Sequence, residues 1–452
     1  MNKTGISHRP LCWPFPPAVF LPHRHHAHAS SSLRRRHSIS GTGFVRSRRN
    51  GPQWRGAKLD GVRHEKDLPV KWSKTEGIAW RLEMPGAAGA TPVVWGDKIF
   101  LTSVDSDKLV LMCVGTDGKE IWRQTVSQGN KDVRGDEGNS ASNSPCTDGK
   151  HVWAMMADGM LACYTVDGKE AWKLDVPERY GKLKIQFGMT STPLLDGSRL
   201  YLQLIHGDGD PATREAVVVC LDAASGNEIW KVDRPSDGKK ECEHSYASPT
   251  IYRDERLAYL LTHGADYIVA HDLADGHELW RCGDLNPKGS YNNTLRFVAS
   301  PLAVPGMIVV PSAKQGPVLC LKPDGKGDLT DKEDAFFWRR PQDTPDVPSP
   351  LIHDGLLYLC RENGNLIVAD AKSGQEHYQE TTTRDRHRAS PVYGDGKVYL
   401  CARNGVITVV QAGEEFQILS QNNLGEPISA SPAISGGRIY IRTFNALYAI
   451  GK

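Results

Sequence analysis

Arg388-Ala389-Ser390-Pro391-Val392-Tyr393, then Gly394-Asp395-Gly396, then Lys397-Val398-Tyr399-Leu400-Cys401: this stretch, carried on to Gln417, decides the fold. A small residue and a proline open a first strand, where no ladder donor is needed. Gly394-Asp395-Gly396 is a tight turn, because glycine supplies positive φ. Residues 397–401 alternate apolar and polar, as a half-buried strand does. Asn404-Gly405 is a hairpin signal. Val406 to Val410 is a third strand, Gln411-Ala412-Gly413 turns again, and Glu415-Phe416-Gln417 is the expected outer strand. Four antiparallel strands joined by short turns make one propeller blade.

The same phrase occurs eight times. Its opening prolines are Pro92, Pro145, Pro193, Pro249, Pro301, Pro350, Pro391 and Pro432. Seven copies close inside the chain on an aromatic: Trp122, Trp172, Trp230, Trp280, Trp338, Tyr378 and Phe416. A period of roughly 40–55 residues built from short strands means a propeller. Each closing ring fills the gap between adjacent blades near the outer rim. The eighth copy stops at Lys452, one strand short. The missing strand stands at the other end, as Gly77-Ile78-Ala79-Trp80-Arg81-Leu82, with its own closing Trp80. The expected class is therefore all-β: an eight-bladed β-propeller of four-stranded antiparallel blades, its ring closed by the N-terminal strand. Closure removes two sheet edges that would otherwise invite aggregation.

Residues 77–452 are thus assigned to the propeller, 51–76 to a lead-in segment and 1–50 to a basic arm. The arm is rich in Arg, His, Ser and Pro and has little apolar periodicity. It reads as disordered, as a targeting segment, or as translation from an upstream start. Leu11 to Leu21 and Ala27-His28-Ala29 have the outline of an export signal, but three prolines break the apolar run. Residues 1–59 carry eleven Lys and Arg and no acid, which leaves 44 basic against 53 acidic residues beyond them, a net of −9. A body so charged is a poor general binder of nucleic acid. No run approaches the ~18 apolar residues of a membrane span.

The ten cysteines include no CxxC pair and no adjacent pair. Cys113, Cys163, Cys220 and Cys320 recur just before a turn, where Ala270, Ala369 and Ala449 stand in other copies. Such a position asks for a small buried side chain rather than a metal ligand. Two acidic, glycine-rich loops, His206 to Asp210 and Asp324 to Asp331, lack EF-hand spacing and read as plain turns.

Leu221-Asp222-Ala223-Ala224-Ser225-Gly226-Asn227-Glu228-Ile229-Trp230 and Thr116-Asp117-Gly118-Lys119-Glu120-Ile121-Trp122 resemble the tryptophan-docking repeat of the pyrroloquinoline-quinone-type propellers. The resemblance covers residues 50–452. Gln53-Trp54-Arg55-Gly56, Asp60-Gly61, Leu68-Pro69 and Trp72 look like the lead-in of large bacterial proteins of this type. The resemblance implies an extracytoplasmic protein. It also raises a quinone-dependent dehydrogenase with Ca²⁺ as one reading. Such enzymes place the cofactor over the channel, beneath an adjacent-cysteine disulfide. This chain lacks that pair and the long inter-blade insertions, so neither quinone nor Ca²⁺ is expected.

In a propeller the residues before each proline approach the channel mouth. The candidates are Asn139, Gln186, His244, Tyr246, Arg296, Asp346, His387 and Arg388. They differ from blade to blade, which suits recognition of one protein or small polar ligand. The expected function is a non-catalytic, monomeric binding or scaffold propeller. It resembles in fold the propeller lipoprotein of the outer-membrane assembly machinery, although no lipobox cysteine carries that role over. The rivals are the dehydrogenase and an extracytoplasmic carbohydrate-binding propeller, for which Tyr246 and Phe297 are a hint.

Overall fold

The computed structural model places residues 50–133, 137–207 and 216–452. The basic arm, apart from Asn50, and Asp208 to Asp210 lie outside these described residues. Eight sheets make the ring, each built on four antiparallel strands; in the first seven these run in sequence order, and two sheets carry a fifth, parallel strand. Blades are numbered here by their opening proline. In blade 3 the strands are Leu194–Asp196, Arg199–Leu204, Val217–Asp222 and Glu228–Asp233. The first strands of successive blades touch and line the axis.

The ring closes as its repeat count demands. Ile78–Glu83 pairs antiparallel with Ala446–Ile450 and becomes the outer strand of blade 8, with Trp80 opposite Ala449.

Five of the closing tryptophans act as docks. Trp80 Nε1 donates to Thr116 O (2.9 Å), Trp122 to Val166 O (3.0 Å), Trp172 to Ala223 O (3.1 Å), Trp230 to Leu273 O (3.3 Å) and Trp338 to Ala371 O (2.9 Å). Each acceptor sits in the next blade's turn. That turn's glycine lets the ring approach: a Cβ on Gly276, at φ +80°, would lie 2.6 Å from the Trp230 ring. Trp230 is 7% exposed and packs on Tyr201 at 5.9 Å. Trp230→Ala should cost on the order of 3 kcal/mol through lost burial and a residual cavity. Chemical denaturation at neutral pH would measure it, and a loss below about 1 kcal/mol would refute the docking role.

Three expectations need correction. The outer strand of blade 7 is Ile418–Asn423, not residues 415–417. Its register sets Ser420 opposite Val409, where other blades present the tryptophan. Phe416 falls short of the dock and leans on Tyr378, 5.5 Å away. The lead-in covers that gap instead. Ser420 Oγ donates to Val70 O, Trp72 N donates to Asn422 Oδ1 (2.9 Å), and Leu68 and Trp72 are buried between blades 7 and 8. Second, the residue matching Cys220 in blade 6 is Val368, opposite Tyr378, and not Ala369. The position selects apolar character, not minimal size. All nine described cysteines are nonetheless free and buried. Third, the loop from Asp324 is more than a turn. Gly327–Asp328 adds a fifth, parallel strand beside Trp280 and Arg281, and Trp280 is 1% exposed beneath it.

A hydroxyl belt ties the blades around the axis. The residue before every opening proline is Ser or Thr. Thr91 N donates to Ser144 Oγ of the next blade (2.9 Å). The same link joins Thr192 to Ser248, Ser248 to Ser300, Ser300 to Ser349, Ser349 to Ser390, Ser390 to Ser431 and Ser431 to Thr91. Buried backbone donors must find acceptors. Here seven of the eight find one on the next blade, which explains why the small residue carries a hydroxyl.

Candidate functional site

Along an extended chain, alternate residues face the same way. The residues two before the belt hydroxyls therefore share one direction: Gly89, Ser142, Thr190, Tyr246, Val298, Val347, Arg388 and Ser429. All eight line a cavity of about 270 Å³ at the channel mouth. One residue comes from each blade, and only Tyr246 and Arg388 are large. Phe187, Val133, Glu137, Asn139, Arg296 and Asp346 complete the wall.

Of the expected site residues, Asn139, Tyr246, Arg296, Asp346 and Arg388 come together here. Gln186 is exposed and lines an adjoining depression of about 510 Å³, which shares Val133 and Phe187 with the mouth. His244 turns away, its Nε2 against Gly207 O (2.9 Å). His387 is fully buried, its Nδ1 against Asp385 O (3.0 Å), and burial lowers its pKa. His387 stands one residue before the lining residue Arg388 and is enclosed within the blade.

The charged members are matched. Arg388 donates through Nε and Nη2 to Glu137 (both 3.0 Å) and through Nη1 to Glu362 (3.0 Å). Arg386 also grips Glu137, at 2.6 Å. Glu137 belongs to the connection between blades 1 and 2, so these bonds span the mouth to blade 7. Burial raises the Glu362 pKa, and Arg388 opposes the rise. Arg296 pairs with Glu241 and lies 4.9 Å over the Phe187 ring. Phe187 and Tyr246 stand 6.0 Å apart at 32°. Asp346 Oδ1 accepts Lys314 N (3.0 Å). The Asn139 side chain is spent on Ala87 O (2.6 Å) and Ala141 N (3.0 Å). The result is an apolar and aromatic well with two arginines at its wall, each held by a carboxylate that a ligand could replace. Sequence reading missed Glu137, two residues before Asn139, and Glu362, in the turn after the second strand of blade 6.

Among the described residues, one group of acidic and histidine side chains lies close enough to hold a metal ion: Asp272, Asp275 and His277. It sits in the turn before the outer strand of blade 4, away from the mouth.

Several solved structures share the fold. BamB from Moraxella catarrhalis superposes with a TM-score of 0.59 at 12% identity, over 83% of this chain and 97% of that one. A europium-containing methanol dehydrogenase gives 0.67 at 12% identity, over 90% and 92%. The quinohemoprotein alcohol dehydrogenase from Comamonas testosteroni gives 0.65 at 14% identity, over 91% and 82%. No curated protein matches the sequence. The model of the family described as outer membrane protein assembly factor BamB matches residues 70–210, 190–332 and 264–452. With that match running through every blade, the chain belongs to this family of PQQ-like β-propellers.

Proposed function

We propose that this protein is a non-catalytic binding propeller that recognises a segment of a protein partner at the channel mouth. One observation carries the reading: the mouth offers a different side chain from every blade around an apolar well, with Arg296 and Arg388 at its wall. Such asymmetry selects one oriented ligand. The family's description as an assembly factor agrees with it.

The dehydrogenase reading asks for a quinone on a flat aromatic floor and an oxygen cage for Ca²⁺. The mouth residues do not fit that group. Phe187 already has a guanidinium over its face, and Tyr246 is tilted from it. Asn139 has both ends of its amide engaged, and Asp346 receives a backbone donor. The nine described cysteines are free and buried, and none is adjacent to another in sequence.

Two measurements test the proposal. After incubation with quinone and Ca²⁺, no dye-linked oxidation of alcohols or sugars is expected, and saturable quinone binding with turnover would overturn the reading. For a partner recovered by cross-linking and then purified, Arg388→Glu should weaken binding by about 1–3 kcal/mol, because it leaves a buried group unpaired. Ile229→Glu, on the exposed rim, should leave binding unchanged. The opposite pattern would move the interface to the rim.

A further inference from the structure

The conspicuous lead-in motif, Gln53-Trp54-Arg55-Gly56 with Asp60-Gly61, takes no part in the mouth. It lies across the channel on the far side of the hydroxyl belt. Gly51 bridges to Val94 of blade 1, and Pro52 O accepts Thr147 N of blade 2 (2.7 Å). The Gln53 amide meets Leu195 of blade 3 (3.1 and 3.3 Å), and Val62–Arg63 pairs in parallel with Tyr393–Gly394 of blade 7. This crossing carries two guanidiniums into the channel.

Arg55 is 8% exposed. It donates to Leu59 O, Asp60 O and Pro350 O, and its Nη1 is buried with no hydrogen-bond partner. Among the described residues Arg63 makes no side-chain hydrogen bond or ion pair. Its guanidinium lies against Gly51 and Gly56, where a Cβ on either would come within 2.5 Å of it. Asp60 and Glu65 act on the two arginines only through longer-range attraction, and burial lowers both arginine pKa values, Arg55 to about 10. Asp60 Oδ1 accepts Val62 N (3.0 Å), and Glu65 Oε2 accepts Gly437 N (2.5 Å).

Both arginines line one small, partly enclosed space of about 20 Å³, together with the belt residues Thr91, Ser390 and Ser431. That volume holds a single water-sized species. Guanidinium stays charged in proteins, and burying it without a counter-charge costs several kcal/mol. A water supplies one acceptor and no charge. A halide supplies both, and accepts from several donors at once.

We propose that the channel floor holds one small monovalent anion of chloride size between Arg55 and Arg63, below the hydroxyl belt. The anion ties the lead-in to the ring and lets two cations share one narrow space. The site is separate from the mouth and does not depend on what binds there.

The test uses the full chain. Thermal melting in potassium chloride, compared with potassium gluconate at equal ionic strength, should rise by several degrees with chloride concentration, because a ligand bound only by the folded state stabilises it. Crystals grown in bromide should give an anomalous peak between the two guanidiniums. Arg63→Met should abolish both effects. Should that variant fail to fold, Arg63→Lys, which keeps the charge, should retain a weaker chloride response. Density for water alone at this position in bromide crystals would overturn the proposal. So would a chloride response that survives unchanged in Arg63→Met.

Discussion

A chain that begins at residue 84 should lose the single cooperative melting transition of the full-length protein and aggregate on expression. The strand Ile78–Glu83 is the outer strand of blade 8 and pairs along its length with residues 446–450. Trp80 docks on the turn of blade 1, its ring against Gly118 and its Nε1 on Thr116 O. Without this strand the ring has an open seam between blades 8 and 1, with an unpaired edge on Ala446–Ile450 that invites edge-to-edge association. The same deletion removes Leu68 and Trp72 from the core shared by blades 7 and 8. Each large apolar side chain lost from a core costs about 2–5 kcal/mol, and a domain has only about 5–15 kcal/mol to lose. A chain that begins at residue 50 keeps every one of these contacts, and its melting temperature should match that of the full protein. Calorimetry and gel filtration of the two truncations decide the matter. A soluble monomer from residue 84 with an unchanged transition would mean that closure contributes little.

The fold was legible because its signal is repeated. A proline, a short alternating strand, a turn glycine and a tryptophan recur at one spacing, so a weak copy is read through the strong ones. Blade 7 marks the limit. Its turn is one residue longer than those of blades 3, 4 and 6, Ser420 holds the dock position, and Phe416 resembled a closing aromatic only in composition. Trp72, twenty residues before the opening proline of blade 1 and far from blade 7 in sequence, fills the space. No local pattern announces such a long-range substitution. The site was half legible for a related reason. Residues near the prolines do reach the mouth, but only the position two before the belt hydroxyl faces it in every blade. Tyr246 and Arg388 stand two before the belt hydroxyl and line the cavity, while His387, one residue off, is buried. Counting back from the Ser or Thr at a fixed even offset would have found all eight lining positions. Glu137 and Glu362 could not be found that way, since they arrive from connections whose course depends on the whole ring.

Acid should weaken the protein well before its carboxylates titrate. Burial, as the leading cause, depresses the pKa of five histidines, His353 and His387 among them, and most at three: His206 to about 4, His271 to about 4 and His263 to about 3. His263 is fully enclosed and meets Phe297 edge-on at 5.0 Å, and His271 Nε2 lies 3.0 Å from Thr262 Oγ1. The nearby Arg234 guanidinium adds repulsion to the burial of both. In the unfolded chain each histidine binds a proton below about pH 6.5. In the folded protein none does until the pH falls to its depressed value. Between those limits the unfolded state holds the extra protons, so stability is full above pH 6.5 and falls as the pH drops through 6 and 5. Each histidine contributes about 1.4 kcal/mol per pH unit, or about 2 kcal/mol at pH 5. Together the three should remove about 6 kcal/mol between pH 7 and pH 5. Carboxylates with depressed pKa values, such as Asp395 and Glu426, lose their contribution at lower pH and do not obscure this window. Urea unfolding at pH 7.5, 6.0 and 5.0 measures the slope. His263→Phe, which keeps an aromatic ring against Phe297, should lower that slope by about one third. Equal stability at pH 7.5 and 5.0 would show that the buried histidines admit a proton without penalty.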